Sequence, residues 1–421
     1  MPVMPASPHR GRRRFLGLTA AAGLLPWQTA LATMCTGRTH SWQPCPDLLD
    51  DLPRAMAAFA VPGVAIAVVE DGAVAWQQGF GVLHAERGTP VVEDTLFEVA
   101  SLSKPVFAYL VLQLSDTGVL DLDRPLVAYR RPDYLGESLW LERITARDVL
   151  RHTTGLPNWR SAPATETLVP KVEPGTRIDY SGEAFVWLQL VVETLTGESL
   201  DRAARTRLFG PAGMRDSSYA WSDAMAARSV YGHRAHDADT SGMPPQMLRE
   251  QWSAAQTIAD RDGVPLSDWT WTQAARALPA VQADTPPGLV NWPGDILANA
   301  AASLRCTVGD YARFLTLSMD RGAQRAPWEI TESTRQAMLT PQTIGATPWS
   351  AKGLGWNIEP TPDGPVFHHA GSNGGIFKNF ALGDAARRRG IVVLTNGGSG
   401  QYLYRRIVRA ATGLDLLAFD R

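Results

Sequence analysis

The feature that most constrains the fold is the placement of strand-like sequence at the two ends of the chain. Near the N-terminus, Val64-Ala65-Ile66-Ala67-Val68-Val69 is an unbroken apolar run, and residues 73–80 follow a Glu70-Asp71-Gly72 turn. A short apolar run bounded by turn signals is a strand. An Asp-Gly turn folds the next strand back on it as a hairpin. Strand signals return at 353–358, 366–369, 377–382 and 390–395, whereas residues from about 105 to 320 read mainly as helix and loop. The sequence therefore predicts an α+β fold, an α/β sandwich. An antiparallel sheet is formed by the N- and C-terminal parts and flanked by helices at 47–59 and 402–412, with a mainly helical region inserted between them. The N-terminal pairing is local and the rest requires long-range closure.

Chemistry enters at Phe97-Glu98-Val99-Ala100-Ser101-Leu102-Ser103-Lys104-Pro105, which contains Ser-x-x-Lys. A serine hydroxyl is a poor nucleophile at neutral pH and needs a base within hydrogen-bond reach. At a helix start, positions i and i+3 share a face, so Lys104 can touch the Ser101 oxygen. A desolvated lysine loses affinity for its proton and can accept or relay one. The chain has four lysines, Lys104, Lys171, Lys352 and Lys378, and only Lys104 has a serine three residues earlier. A strand-like 95–99 leads into the motif, and an apolar helical stretch, 106–114 with Gly118 as its stop, follows it. Pro105 is tolerated in a first helical turn, where an N–H is unpaired anyway.

Two further segments join this one. Pro174-Gly175-Thr176-Arg177-Ile178-Asp179-Tyr180-Ser181-Gly182 precedes a helix-like 184–196, and Val366-Phe367-His368-His369-Ala370-Gly371-Ser372 precedes a glycine pair at 374–375. Taken in order, the three segments resemble the boxes of the serine β-lactamase and penicillin-binding superfamily. The branch they resemble is the class C-like one of β-lactamases, esterases and D-peptidases, which uses Ser-x-x-Lys, Tyr-x-Asn and Lys/His-x-Gly. Other segments fit the same family: Val61-Pro62-Gly63 with its hairpin, His152-Thr153-Thr154-Gly155-Leu156-Pro157, Pro211-Ala212-Gly213-Met214, Gly353-Leu354-Gly355-Trp356, and Ile391-Val392-Val393-Leu394-Thr395-Asn396. The resemblance covers roughly 50 to 413 and implies a β-lactamase/transpeptidase-like fold.

The resemblance also implies roles. Ser101 is the nucleophile, Lys104 its proton partner and Tyr180 the second proton-transfer group. His369-Ala370-Gly371 is the third box, with His369 facing Ser101 and Gly371, like Gly182, at the substrate. The backbone N–H groups of Ser101 and Ser372 form the oxyanion hole. To act as a base, Tyr180 needs nearby positive charge such as Lys104. His368 points to the opposite strand face and is excluded. His152 and Thr153 fit a loop under the pocket floor, with no chemistry assigned.

Two departures stand out. Gly182 replaces the asparagine of the second box and cannot hydrogen-bond a substrate amide. His369 replaces a lysine, and a neutral imidazole attracts a substrate carboxylate less than an ammonium does. Both favour an ester or amide hydrolase with esterase-like preference over a strong β-lactamase. The alternatives are a D-alanyl-D-alanine peptidase, a β-lactamase, or a non-catalytic peptidoglycan-binding or sensor protein of the same fold. No Gly-x-Ser-x-Gly occurs, which speaks against an α/β-hydrolase.

The first 32 residues carry Arg12-Arg13-Arg14-Phe15-Leu16, an apolar stretch and Ala30-Leu31-Ala32. These predict a twin-arginine export signal cleaved after Ala32, a periplasmic or secreted catalytic domain over 33–421, and no stable membrane span after cleavage. Net charge is −2, which gives no electrostatic case for nucleic acid. The expected partner is a small ester, peptide or β-lactam. Cys35 and Cys45 pair or all three cysteines stay free, both being open with Cys306 as the third. No Cys-x-x-Cys or His-Glu-x-x-His supports a zinc site, and no cofactor is implied. Residues 234–300, with Trp269, Trp271 and Trp292, form an unusual insertion, read equally as a surface elaboration or as a wall of the pocket.

Overall fold

In a computed structural model the described residues are 41–162, 165–234, 245–283, 297–319, 325–345 and 351–420. The export signal, Cys35 and Trp292 lie outside them.

Among the described residues the sheet has seven strands: β1 (Gly63–Glu70), β2 (Ala73–Gly81), β5 (Ala351–Lys352), β6 (Asn357–Thr361), β7 (Gly364–Asn373), β8 (Phe377–Asp384) and β9 (Arg389–Thr395). A separate pair joins β3 (Phe97–Glu98) to β4 (Arg305–Cys306). The order of the large sheet is β2-β1-β9-β8-β7-β6-β5, antiparallel throughout. β1 pairs with β9 from Val64↔Thr395 to Val69↔Gly390, so the two chain ends close one sheet and the fold is α+β.

β1 shows why its sequence has no polar alternation. Val64, Ile66 and Val68 face one apolar cluster, with Leu52 and Met56 of α1 (Pro46–Ala58) and Leu403 and Ile407 of the helix Gly400–Thr412. Ala65, Ala67 and Val69 face the other, with residues of α2 (Ser103–Asp116) and of the helix Val308–Leu317. Each of these strand residues is buried, on one side or the other, and each large aliphatic side chain so placed contributes about 1.5–3 kcal/mol.

Two strand expectations need correction. The 353–358 run is not one strand. Gly353 N–H donates to Trp356 O at 2.9 Å, closing a turn between β5 and β6. Gly355 sits there at φ +92°, and a Cβ would stand 2.5 Å from that of Ala108 in α2, so this glycine answers both a turn and a close approach. The 95–99 run is a strand only at Phe97–Glu98, because beyond it the chain must bend into the Ser101 turn.

The described part of the 234–300 segment comprises the helices Pro245–Asp262 and Trp271–Ala283. Trp271 packs on Val186 and Leu190 of α4 (Gly182–Thr196), and its N–H donates to Glu193 Oε2 at 2.8 Å. Burial lifts the Glu193 carboxyl to about 7. Cys306 is buried as a free thiol. No helix among the described residues is long and apolar enough to cross a membrane.

Candidate active site

Ser101 lies in a short 3₁₀ turn, Ala100–Leu102, that leads directly into α2. The turn is sharp: Ala100 takes φ +54°, a region alanine enters only under constraint. Ser103 pins it, its hydroxyl donating to Ala100 O at 2.6 Å and accepting from Leu304 N–H at 3.0 Å. The result carries Ser101 on a bend and Lys104 within the first turn of the helix.

The two side chains meet. Lys104 Nζ is 3.3 Å from Ser101 Oγ and donates to Ala301 O at 2.8 Å. It is 1% exposed and sits 4.6 Å from the centre of the Tyr180 ring. Burial first, and the charge of Lys352 second, pull its ammonium down from 10.5 to about 7. Half of the Lys104 side chains are therefore neutral near pH 7, with a lone pair beside the serine.

The Tyr180 hydroxyl hydrogen-bonds the Ser101 side chain. Part of its ring reaches solvent, and the residue is 37% exposed. Its surroundings nevertheless raise the hydroxyl above its ordinary value, desolvation outweighing the bond to Ser101. The positive charge that Tyr180 would need to act as a base does not offset this desolvation: Tyr180 is a neutral phenol, and Lys104 is the group poised near neutrality. His152 stacks on Tyr180 with ring centres 4.4 Å apart, and its Nδ1 accepts from Ser181 N–H at 3.3 Å. Burial keeps this histidine neutral. The His152 loop therefore aims Tyr180 directly.

β7 brings the third segment alongside. β6 pairs with it only as far as Asn357↔His368, and the stretch from His369 to Asn373 runs on beside the Ser101 turn. Gly371 is required there: a Cβ would run into the carbonyl oxygen of Val99 and stand 3.4 Å from Ala100 Cβ. His369 is buried, with its ring 6.4 Å from that of Tyr180. Its Nδ1 lies 2.7 Å from Ala370 O, so Nδ1 carries the proton and Nε2 the lone pair. Burial and the charges of Lys352 and Lys104 hold it neutral. His368 faces the other side, 3.5 Å from Glu359 and stacked on Phe380. Ser372 follows on the exposed side of β7, its hydroxyl accepting from Lys378 at 2.8 Å.

The second segment caps α4. Ser181 Oγ accepts from Ala184 N–H at 3.0 Å and donates to Pro157 O at 2.8 Å. Gly182 opens the helix. Three contributors escape sequence reasoning. Ala301 offers only a backbone carbonyl, which no side-chain pattern announces. Gln189 of α4 holds that segment, accepting from Ala300 N–H at 2.9 Å and donating to Ala298 O at 3.0 Å. Lys352, on β5, adds charge close enough to depress Lys104, His152 and His369. Its one advance signal is the scarcity of lysine.

The Beta-lactamase family description matches residues 50–413. Penicillin-binding protein 4 of Amycolatopsis lactamdurans is 26% identical over 376 residues, 84% of this chain and 85% of that protein. Esterase EstB of Burkholderia gladioli is 31% identical over 195 residues, 39% of this chain and 49% of the esterase. The solved structure of D-alanine carboxypeptidase AmpC from Burkholderia cenocepacia superposes with a TM-score of 0.62 at 21% identity, covering 86% of this chain and 98% of that one. The likeness to that structure is one of fold.

Proposed function

The chain belongs to the β-lactamase family of serine hydrolases, and from that premise we propose that it is an exported hydrolase that opens esters in preference to amides, through an acyl-enzyme on Ser101. The observation that carries this reading is Ser101 Oγ lying between Tyr180 and a Lys104 amine held at about 7.

In this reading Ser101 Oγ attacks the substrate carbonyl and passes its proton to neutral Lys104. The N–H groups of Ser101 and Ser372 hold the oxyanion. Collapse breaks the bond to the leaving oxygen, which takes a proton through Tyr180, re-protonated from Lys104. Water then attacks the acyl-enzyme, giving its proton to the same pair, and the acid leaves while Ser101 is restored. Tyr180 serves as a neutral relay, because its proton is held more tightly than in a free phenol.

Substrate preference follows from charge. His369 is neutral, so the third segment supplies no fixed cation for a carboxylate. An anionic substrate beside Lys104 would also raise its affinity for protons and remove the base. A neutral ester does neither, and its alkoxide leaves more easily than an amine. The expected margin for short-chain esters over penicillins or cephalosporins is at least about tenfold, since one charged hydrogen bond is worth roughly 1.5–3 kcal/mol. Residues 1–32 carry the proposed export signal and place the enzyme in the periplasm or medium. A D-peptidase or β-lactamase is the second reading, favoured by the charge of Lys352 near the site and by the similarity to a penicillin-binding protein.

The deciding experiment compares p-nitrophenyl butyrate with nitrocefin below KM, with mass spectrometry after a fluorophosphonate. Wild type should gain one adduct on Ser101 and favour the ester, and Ser101→Ala should lose both adduct and hydrolysis. Near wild-type activity in Ser101→Ala removes the nucleophile assignment, and faster turnover of nitrocefin removes the ester preference.

A further inference from the structure

The glycine of the second segment reads in sequence as a lost side chain. In the structure its space is occupied by Trp159. A Cβ on Gly182 would stand 2.5 Å from Cη2 of the Trp159 indole and 2.7 Å from Cε2. The ring lies flat enough against the glycine that no other residue fits at 182 without moving it.

Trp159 is held on both sides. Asn158 accepts the Gly182 N–H on its side-chain oxygen at 2.9 Å and the Glu183 N–H on its carbonyl at 3.0 Å. Arg160 forms an ion pair with Glu183, Nε to Oε1 at 2.9 Å and the second amine to Oε2 at 3.2 Å, with both side chains 4% exposed. Its backbone N–H donates to the same carboxylate at 3.0 Å. Between these two anchors, Trp159 is 45% exposed. A tightly fixed backbone that presents a large aromatic ring to solvent has a geometry suited to binding rather than to filling a core. The glycine that the ring covers is two residues along from Tyr180, whose hydroxyl reaches Ser101.

We infer that Trp159 is a specificity-determining residue: its indole is the wall against which the acyl half of the substrate packs, and it selects esters with an aromatic or bulky apolar acyl group. The inference rests on the proposed acyl-enzyme function. At Gly182 the indole face stands where a side chain would otherwise project, so a substrate group seated there meets an apolar ring that can stack on it.

The test uses the full enzyme and p-nitrophenyl esters that share one leaving group, the acetate and the phenylacetate. Each kcat/KM is divided by the ester's rate with hydroxide, and the ratio of the two is the readout, which cancels any uniform loss through folding. Trp159→Ala should lower the phenylacetate-to-acetate ratio roughly 3- to 10-fold, the range of a single aromatic contact, and Trp159→Phe should keep most of it. Gly182→Ala must push the indole aside, so it should lower the ratio in wild type and leave it unchanged in Trp159→Ala. A ratio unaffected by Trp159→Ala while Ser101 still takes the fluorophosphonate overturns this inference and spares the proposed function. A wild-type Ser101 that takes no label and hydrolyses no ester overturns both.

Discussion

Lys104 sets up a sharp prediction because it is a buried lysine that meets no carboxylate among the described residues. In the unfolded chain its amine has the ordinary value of 10.5, and in the fold it is held at about 7. The folded-state value is depressed, so the unfolded chain binds the extra proton between pH 7 and 10.5, and stability rises with pH across that window. Below about pH 7 both states are charged and the full penalty stands. Each pH unit separating the folded and unfolded values is worth about 1.4 kcal/mol, which gives a penalty of about 5 kcal/mol at pH 6 and about 1 kcal/mol at pH 10. Lys104→Met fills the same space without a charge, and it leaves Ala301 O without its donor, which costs about 1–3 kcal/mol. The variant should therefore be inactive, and about 2–4 kcal/mol more stable than wild type at pH 6. At pH 10 it should be no more stable, or less. Urea unfolding of both proteins at pH 6, 8 and 10 measures the difference, in which other titrating groups cancel. A gap that does not change by about 4 kcal/mol between pH 6 and 10 refutes the claim that a buried, proton-poor lysine serves the site.

Two more expectations can be checked on the same protein. If Lys104 must be neutral to accept the Ser101 proton, kcat/KM for a neutral ester falls about tenfold per pH unit below pH 7; Lys352→Gln should move that limb upward yet leave it far below 10.5, since burial is the larger cause. Gly371→Ala should reduce activity by at least about tenfold with a modest loss of stability, because the added methyl strikes the Val99 carbonyl next to the nucleophile turn; an active, unshifted variant would mean that β7 does not seat against that turn.

The parts of this molecule legible in sequence are those whose signal is local. The apolar run 64–69 is a strand because both faces of the sheet are covered, and Ser101 and Lys104 announce each other by spacing alone. Gly371 is legible as a motif position, and the Val99 carbonyl supplies its reason. What stays hidden arises between distant segments. Ala301 acts through a backbone carbonyl and Gln189 through its grip on backbone groups, and neither leaves a residue-type signature. Sequence alone suggests that Tyr180 feels Lys104 as a charge, but the burial that makes Lys104 half neutral also weakens that help. Gly182 reads as a subtraction, because a sequence shows a missing side chain and never the ring that takes its place. The 353–358 run has the composition of a strand, and the tight turn at Gly353–Trp356 overrides it.

The geometry at Ser101 is held by residues far away in the chain, for a physical reason. Ala100 at φ +54° and His152 at φ +58° each occupy a left-handed conformation that costs a non-glycine residue about 1–2 kcal/mol. Adding the desolvated lysine brings the total to the order of the 5–15 kcal/mol that separates a typical folded domain from its unfolded chain. Local sequence cannot hold such a turn, since its own preferences oppose it. It is held from outside: Tyr219 hydroxyl donates to Ser103 O at 2.8 Å, Tyr311 hydroxyl to Leu102 O at 2.9 Å, and Val99 N–H to Leu304 O at 3.0 Å. All three partners come from the segment between the two halves of the sheet, and both tyrosines are fully buried, so each of these ties to the nucleophile turn is made in the core. The helical middle of the chain thus does more than cover the sheet. It supplies the clamps that keep Ser101 bent toward Lys104, and the two covered faces of the sheet supply the surplus stability against which that strain is set.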